Sequence, residues 1–123
     1  MVAWKQYLKS FASFFELSIA PIKYLSQRKS QIKCNGKQGL LIIMRDLGFH
    51  ISNGRGEHKV FTHPELSNRT RDSEQFFISH SIDCGHQPNR LMKLAYVVKT
   101  ICFLRQYQPI LETILNEQEN LIY

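Results

Sequence analysis

The sequence predicts a protein of the α+β class. Three observations carry this prediction: an amphipathic helical pattern, then short apolar runs separated by glycine-rich and polar turns, then a second helical pattern. With 123 residues, 43% hydrophobic and 21% charged, the chain has the composition of a globular protein and not of a disordered one. A three-stranded antiparallel meander would need the flanking helices to cover its apolar face.

The first 35 residues are predicted to be a helical extension followed by a linker. Aromatic residues recur at helical spacing over residues 2–20, and Pro21 is expected to end or kink this helix. The helix could bind a membrane surface or a partner protein, but we favour packing on the domain itself or on a second copy in a homodimer, because its basic residues are sparse. Residues 23–36 are interpreted as a solvated linker. No segment reaches the length of a membrane span.

Residues 36–108 are predicted to form the main domain. A helix over residues 37–47 ends at Gly48, and a strand starting at Phe49 leads to the turn at residues 53–56. The second strand covers residues 57–62 and closes at His63-Pro64.

The second half of this domain is predicted to hold one more strand and a long helix. Residues 65–74 are interpreted as a polar loop, residues 75–80 as the third strand, and residues 83–89 as a turn-rich loop. A helix over residues 91–107 has a predicted buried face of Leu94, Val97, Val98, Ile101 and Leu104. Residues 109–123 are expected to form a separate final helix that starts at Pro109.

Charge and cysteine content limit the classes of partner and compartment. The net charge is +6 with a pI near 9.4, which suits RNA, an acidic protein or an anionic surface. Cys34, Cys84 and Cys102 are an odd number at wide spacing, so we expect no disulfide framework and a reducing cytoplasm. Cys102 is expected to be a small buried residue of the long helix.

The most informative motif is the run Gly56-Glu57-His58-Lys59-Val60-Phe61-Thr62-His63-Pro64. A histidine is suited to move protons near neutral pH, and Arg55 and Lys59 would attract phosphate. His63 is expected to shape the turn beside Pro64. His80, Cys84 and His86 do not match a recognised zinc spacing, so no metal and no cofactor are predicted.

These residues, in this order, resemble the HicA family of toxins. The resemblance covers about residues 36–107. It includes Arg45-Asp46-Leu47-Gly48-Phe49, Gly56-Glu57-His58, the segment ending at His63-Pro64, and Asp83-Cys84-Gly85-His86-Gln87-Pro88 before the helix that contains Tyr96. It implies a double-stranded-RNA-binding-like α-β-β-β-α core with extra N- and C-terminal helices. The family typically has Gly-Ser-His where this chain has Gly56-Glu57-His58. Because strand neighbours face opposite sides, Glu57 is expected to point away.

The resemblance implies a cytoplasmic endoribonuclease that cuts mRNA without a metal, paired with a HicB-like antitoxin. His58 would be the general base, and the products would be a 2′,3′-cyclic phosphate and a 5′-hydroxyl. RNA phosphates would contact Arg55, Gly56, Lys59, Arg90 and Lys93, with Arg69, Arg71 and Lys99 as further candidates. The alternative is a non-catalytic RNA-binding or protein-interaction module of the same fold.

Overall fold

The computed structural model describes residues 14–87 and 89–122, and these form four α-helices and one three-stranded antiparallel sheet. The prediction of an α+β protein is therefore confirmed. The part of the N-terminal prediction that falls on residues 1–13 lies outside the described residues. The elements in chain order are α1 (Phe14–Gln27), a 3-10 helix (Lys29–Gln31), α2 (Leu40–Asp46), β1 (His50–Asn53), β2 (His58–Thr62), α3 (Pro64–Thr70), β3 (His80–Asp83) and α4 (Leu94–Ile122).

The sheet is a meander in the order β1-β2-β3 with one covered and one open face. Phe61 pairs with Ile51 on β1 and with His80 on β3, and Phe61 and His80 are buried. Their strand neighbours alternate to the other side, where His58 and Ser81 are exposed. The helices therefore cover one face of the sheet, and the second face meets solvent.

The N-terminal region differs from the prediction. Helix α1 runs through Pro21 to Gln27 and packs against α4, with Leu25 fully buried. The solvated linker predicted over residues 23–36 is wrong, because Ile32 and Cys34 are also buried in the core. The division of the chain at residues 35 and 108 stays a prediction.

Helix α2 and the first hairpin agree with the sequence patterns. Gly48 follows α2 with a φ of +98°, a conformation that glycine adopts without strain. A Cβ at this position would lie 3.0 Å from His63 Nε2, so a larger residue would also crowd the buried imidazole. The predicted turn at residues 53–56 joins β1 to β2.

The predicted loop over residues 65–74 and the predicted third strand over residues 75–80 are both partly wrong. Pro64–Thr70 is helix α3, with Pro64 at its first turn and His63 as its N-cap. Phe77 is buried next to it, and its N–H donates to Thr70 Oγ1 while its carbonyl accepts from Ser67 Oγ. Because these side chains satisfy the backbone of Phe77, the third strand forms only later, at His80–Asp83.

Helix α4 is continuous from Leu94 to Ile122, so the separate helix predicted from Pro109 is wrong. A proline inside a helix costs about 3 kcal/mol, whereas each fully buried Leu or Ile contributes about 1.5–3 kcal/mol. Leu104, Leu111 and Ile114 are buried on both sides of Pro109, which outweighs that cost.

The predicted buried face of this helix is partly wrong. Val97, Ile101 and Leu104 are buried, but Leu94 and Val98 are exposed. Cys102 is also exposed, contrary to its predicted burial. No helix within the described ranges is long and apolar enough to cross a membrane.

The cysteine prediction is corrected as well. Cys34 and Cys84 form a disulfide across 50 residues of sequence, with their Cα atoms 5.8 Å apart. Wide sequence spacing did not exclude a bridge, because Cys34 lies in the core segment that reaches the end of β3. The expected cytoplasmic location loses the support it took from reduced cysteines.

Candidate active site

His58 lies on the open face of the sheet at the start of β2. The turn before it is closed by two backbone hydrogen bonds, from Gly54 N to His58 O and from His58 N to Arg55 O. Gly56 takes a φ of +56°, which lets the chain reverse within this turn. These bonds fix the backbone on both sides of the imidazole.

Asp83 faces His58 from the neighbouring strand. The register of β2 and β3 pairs these two residues directly, and His58 Nε2 lies 3.9 Å from Asp83 Oδ2. The other carboxylate oxygen, Oδ1, accepts from the Gly85 N–H at 2.8 Å. One oxygen therefore holds the following turn while the second is directed at the imidazole. At 3.9 Å the pair is an electrostatic contact and not yet a hydrogen bond.

A cleft of about 680 Å³ opens around this pair. Its walls come from the β1–β2 turn, the end of β3 and the segment that precedes α4. Three of the predicted phosphate contacts line it beside His58, namely Arg55, Arg90 and Lys93. Gly56, a fourth predicted phosphate contact, also lines the cleft. The cleft thus unites residues that are up to 38 positions apart in the sequence, since Arg55 and Lys93 both line it.

Lys59 does not belong to the cleft. It is the strand neighbour of His58 and faces the other side of the sheet, where its ammonium donates to Asn53 Oδ1. Three further candidates also lie outside the residues that line the cleft, namely Arg69, Arg71 and Lys99. Arg69 is held by Glu65 and Glu117, and these two carboxylates raise its pKa.

Glu57 lines the cleft, which corrects the expectation that it points away. It precedes the first residue of β2, so strict strand alternation does not yet apply to it. Its carboxylate lies 3.7 Å from His86 Nδ1 on the opposite wall. With Arg55, Arg90 and Lys93 against Glu57 and Asp83, the cleft carries a net charge of 3 − 2 = +1 when its histidines are neutral.

The other histidines have structural surroundings. His63 Nδ1 accepts from the Leu66 N–H at 3.1 Å as the cap of α3, and burial lowers its pKa. This agrees with a role in shaping the turn. His80 is buried under α4. Within the described part of the chain, no group of three or more His, Cys, Asp or Glu side chains is arranged to hold a metal ion.

The sequence reasoning missed Asp83 and the disulfide partner Cys84 as parts of this site. Asp83 followed by Gly85 is a signal for a side chain that bonds to the backbone of a turn, and it could have drawn attention to the carboxylate. Comparison of the chain with protein-family models, with curated proteins and with solved structures finds no match.

Proposed function

We propose that this protein is a metal-independent endoribonuclease of the HicA type, with His58 as its general base. The observation that carries the proposal is the pairing of His58 with Asp83 inside a cleft lined by Arg55, Arg90 and Lys93. We infer that the fold is a variant of the double-stranded-RNA-binding-like α-β-β-β-α fold, in which α3 is inserted between β2 and β3.

In this proposal the RNA supplies its own nucleophile. The imidazole of His58 removes the proton from a 2′-hydroxyl, whose oxygen attacks the adjacent phosphorus while the bond to the 5′-oxygen breaks. Asp83 stabilises the imidazolium that forms, since an opposite charge nearby favours the protonated ring. The leaving 5′-oxygen takes a proton from water or from the imidazolium form of His86, the second histidine of the cleft.

The cations of the cleft act on the transition state. Arg55, Arg90 and Lys93 can place positive charge against the phosphoryl oxygens, which carry more negative charge during the attack. The products are a 2′,3′-cyclic phosphate and a 5′-hydroxyl. In the same proposal the protein blocks translation by cutting mRNA, and an acidic HicB-like antitoxin covers the cleft.

The test is cleavage of a defined RNA in EDTA by the purified protein. Replacing His58 by alanine should lower the cleavage rate by about 10²–10⁴-fold, which is the usual contribution of a general base. His50→Ala is the matched control, because His50 is exposed on the first strand and is not among the residues that line the cleft. Products with a 5′-phosphate, or equal activity of the two variants, would overturn the mechanism.

A second candidate function is RNA binding without cleavage. Glu57 counts against catalysis, because it puts a carboxylate beside His58 where the family has a serine, whereas Arg55, Arg90 and Lys93 still offer positive charge to phosphates. A folded parent protein that binds RNA but leaves it intact would select this second function.

A further inference from the structure

A strongly basic segment lies outside the cleft and has no part in the reaction proposed above. Residues 17–45 contain six Lys or Arg and no Asp or Glu, so this stretch alone equals the net charge of the chain. Lys29, Lys33 and Lys37 are spaced four residues apart in its centre, and all three are exposed. Such a charge density attracts polyanions.

The structure attaches the middle of this segment to the cleft wall. Lys33 forms an antiparallel bridge with Leu91, and Leu91 lines the cleft. Bridged residues project to the same side with Cβ atoms about 5 Å apart. Lys33 and Leu91 are both exposed, while Ile32 and Met92 are buried on the other side. The Lys33 side chain therefore stands at the margin of the cleft.

Covalent and hydrogen bonds hold Lys33 in this place. Met92 N donates to Ile32 O at 2.7 Å, and Leu40 N donates to Lys33 O at 2.8 Å. The next residue, Cys34, is bonded to Cys84, which is itself part of the cleft wall. Lys29 and Lys37 lie four residues away on either side, so at most about 14 Å of chain separates each from Lys33.

Lys29, Lys33 and Lys37 are exposed to solvent. In the part of the chain that the structure describes, no carboxylate lies within ion-pair distance of Lys29, Lys33 or Lys37. Arg69 offers a contrast, because two glutamates already occupy its guanidinium.

We propose that Lys29, Lys33 and Lys37 form an outer phosphate-binding subsite that extends the cleft for single-stranded RNA. This inference rests on the proposed function and adds to it the binding of nucleotides that flank the cleavage position. Each ammonium replaces a counterion of one phosphate, so the subsite contributes affinity that falls as salt rises.

The test uses the full chain with His58→Ala, which keeps the RNA probe intact. Binding of fluorescein-labelled single-stranded RNAs of about 4 and about 16 nucleotides is measured by fluorescence anisotropy over a range of salt concentrations. In this background, K29Q/K33Q/K37Q is compared with K23Q/R45Q/R105Q. The control removes the same charge from exposed residues that do not line the cleft. A third variant, K29R/K33R/K37R, keeps the charge.

The triple glutamine variant should weaken binding of the longer RNA on the order of tenfold and lower its salt slope by about 2. Binding of the shorter RNA should change much less, and the control and arginine variants should bind the longer RNA like the parent. Equal losses with both triple glutamine variants, or equal losses for both RNA lengths, would overturn the subsite.

Failure of the subsite and failure of the nuclease are separate results. A parent protein that cuts RNA in EDTA, with no length-dependent loss in the lysine variant, would remove the subsite alone. A length-dependent loss with an inactive parent would support the subsite and remove the nuclease.

Discussion

His58 and His80 lie on adjacent strands of one sheet, but they face opposite sides of it. His80 is 6% exposed, and its ring stacks on that of Phe103 with centroids 4.6 Å apart. Burial, together with the positive charge of Lys99, lowers its pKa to about 4. The side chain of His58 is 48% exposed and faces the carboxylate of Asp83. The face of the sheet, and not the residue type, separates a packing histidine from a candidate base.

Hydrogen bonding makes the same distinction. The Thr100 hydroxyl donates to the Tyr96 carbonyl, so it can offer His80 only a lone pair. His80 Nε2, at 2.9 Å from Thr100 Oγ1, must therefore carry a proton and donate it. The neutral ring is held in one tautomer under α4. Within the described residues, no such hydrogen bond fixes the ring of His58, and the ring is open to a substrate.

The largest expected effect comes from the disulfide, which joins the buried region to the cleft. C34A/C84A should lower the free energy of unfolding by about 4 kcal/mol, because the bridge closes a loop of 50 residues in the unfolded chain. Denaturant unfolding measures this loss, and the parent should lose the same amount in a dithiol reductant. C102A is the control, since Cys102 is exposed and unbridged. Equal stability of parent and double variant would contradict the bridge.

The second effect is a loss of stability as the pH falls, and it originates at His80 on the buried face of the sheet. His80 has a lowered pKa when folded and one near 6.5 when unfolded, so the unfolded chain binds the proton first as pH falls. The stabilisation is complete above about pH 6.5 and is lost towards pH 4, by about 3 kcal/mol. Unfolding midpoints across this range measure the loss.

H80F should flatten that slope, because phenylalanine keeps the ring packing and does not titrate. His63 should preserve a smaller slope in the same direction, since burial lowers its pKa too. A parent whose stability is constant between pH 7 and pH 4 would show that burial does not lower the pKa of His80, and the contrast between His80 and His58 would then fail.

The third effect tests the carboxylate on the open face. D83N keeps the Oδ1 contact with the Gly85 N–H but removes the charge that faces His58. If the imidazolium needs that charge, RNA cleavage should fall about 10²-fold with little change in stability. D72N is the control, because Asp72 is exposed and does not line the cleft. Wild-type cleavage by D83N would remove Asp83 from the mechanism.

Local patterns predicted the elements around His58 well. Each of these elements is determined by residues that are close together in the sequence. They are the periodic apolar residues of 40–46, Gly48 with its positive φ at the end of the helix, and the glycine turn before His58. Because this hairpin is local, its turn and its register follow from the sequence itself. The approach of His58 and Arg55 could therefore be expected before the structure.

The errors lie where distant contacts decide the structure. Phe77 looks like the centre of a strand, but the side chains of α3 satisfy its backbone. Pro109 looks like a helix start, but the core on both sides of it holds α4 together. Asp83 could not be placed opposite His58 without the register of β2 and β3. The cleft depends on contacts between segments that are distant in the sequence, such as the β2–β3 register and the Cys34–Cys84 disulfide, and local sequence patterns do not predict these contacts.

The smallest effect concerns Glu57, the residue that makes the cleft unlike a purely basic site. E57Q removes a carboxylate that lies beside His58 in the chain and contacts His86 across the cleft. Because both partners are exposed, the ion pair itself contributes less than about 1 kcal/mol. RNA binding in the His58→Ala background should tighten by a factor of about 2–5, since a charge that repels phosphate is gone.

E74Q is the control, because it removes an exposed carboxylate that is not part of the cleft lining, and it should leave RNA affinity unchanged. Weaker RNA binding by E57Q would mean that the Glu57–His86 pair organises the cleft more than it repels the substrate.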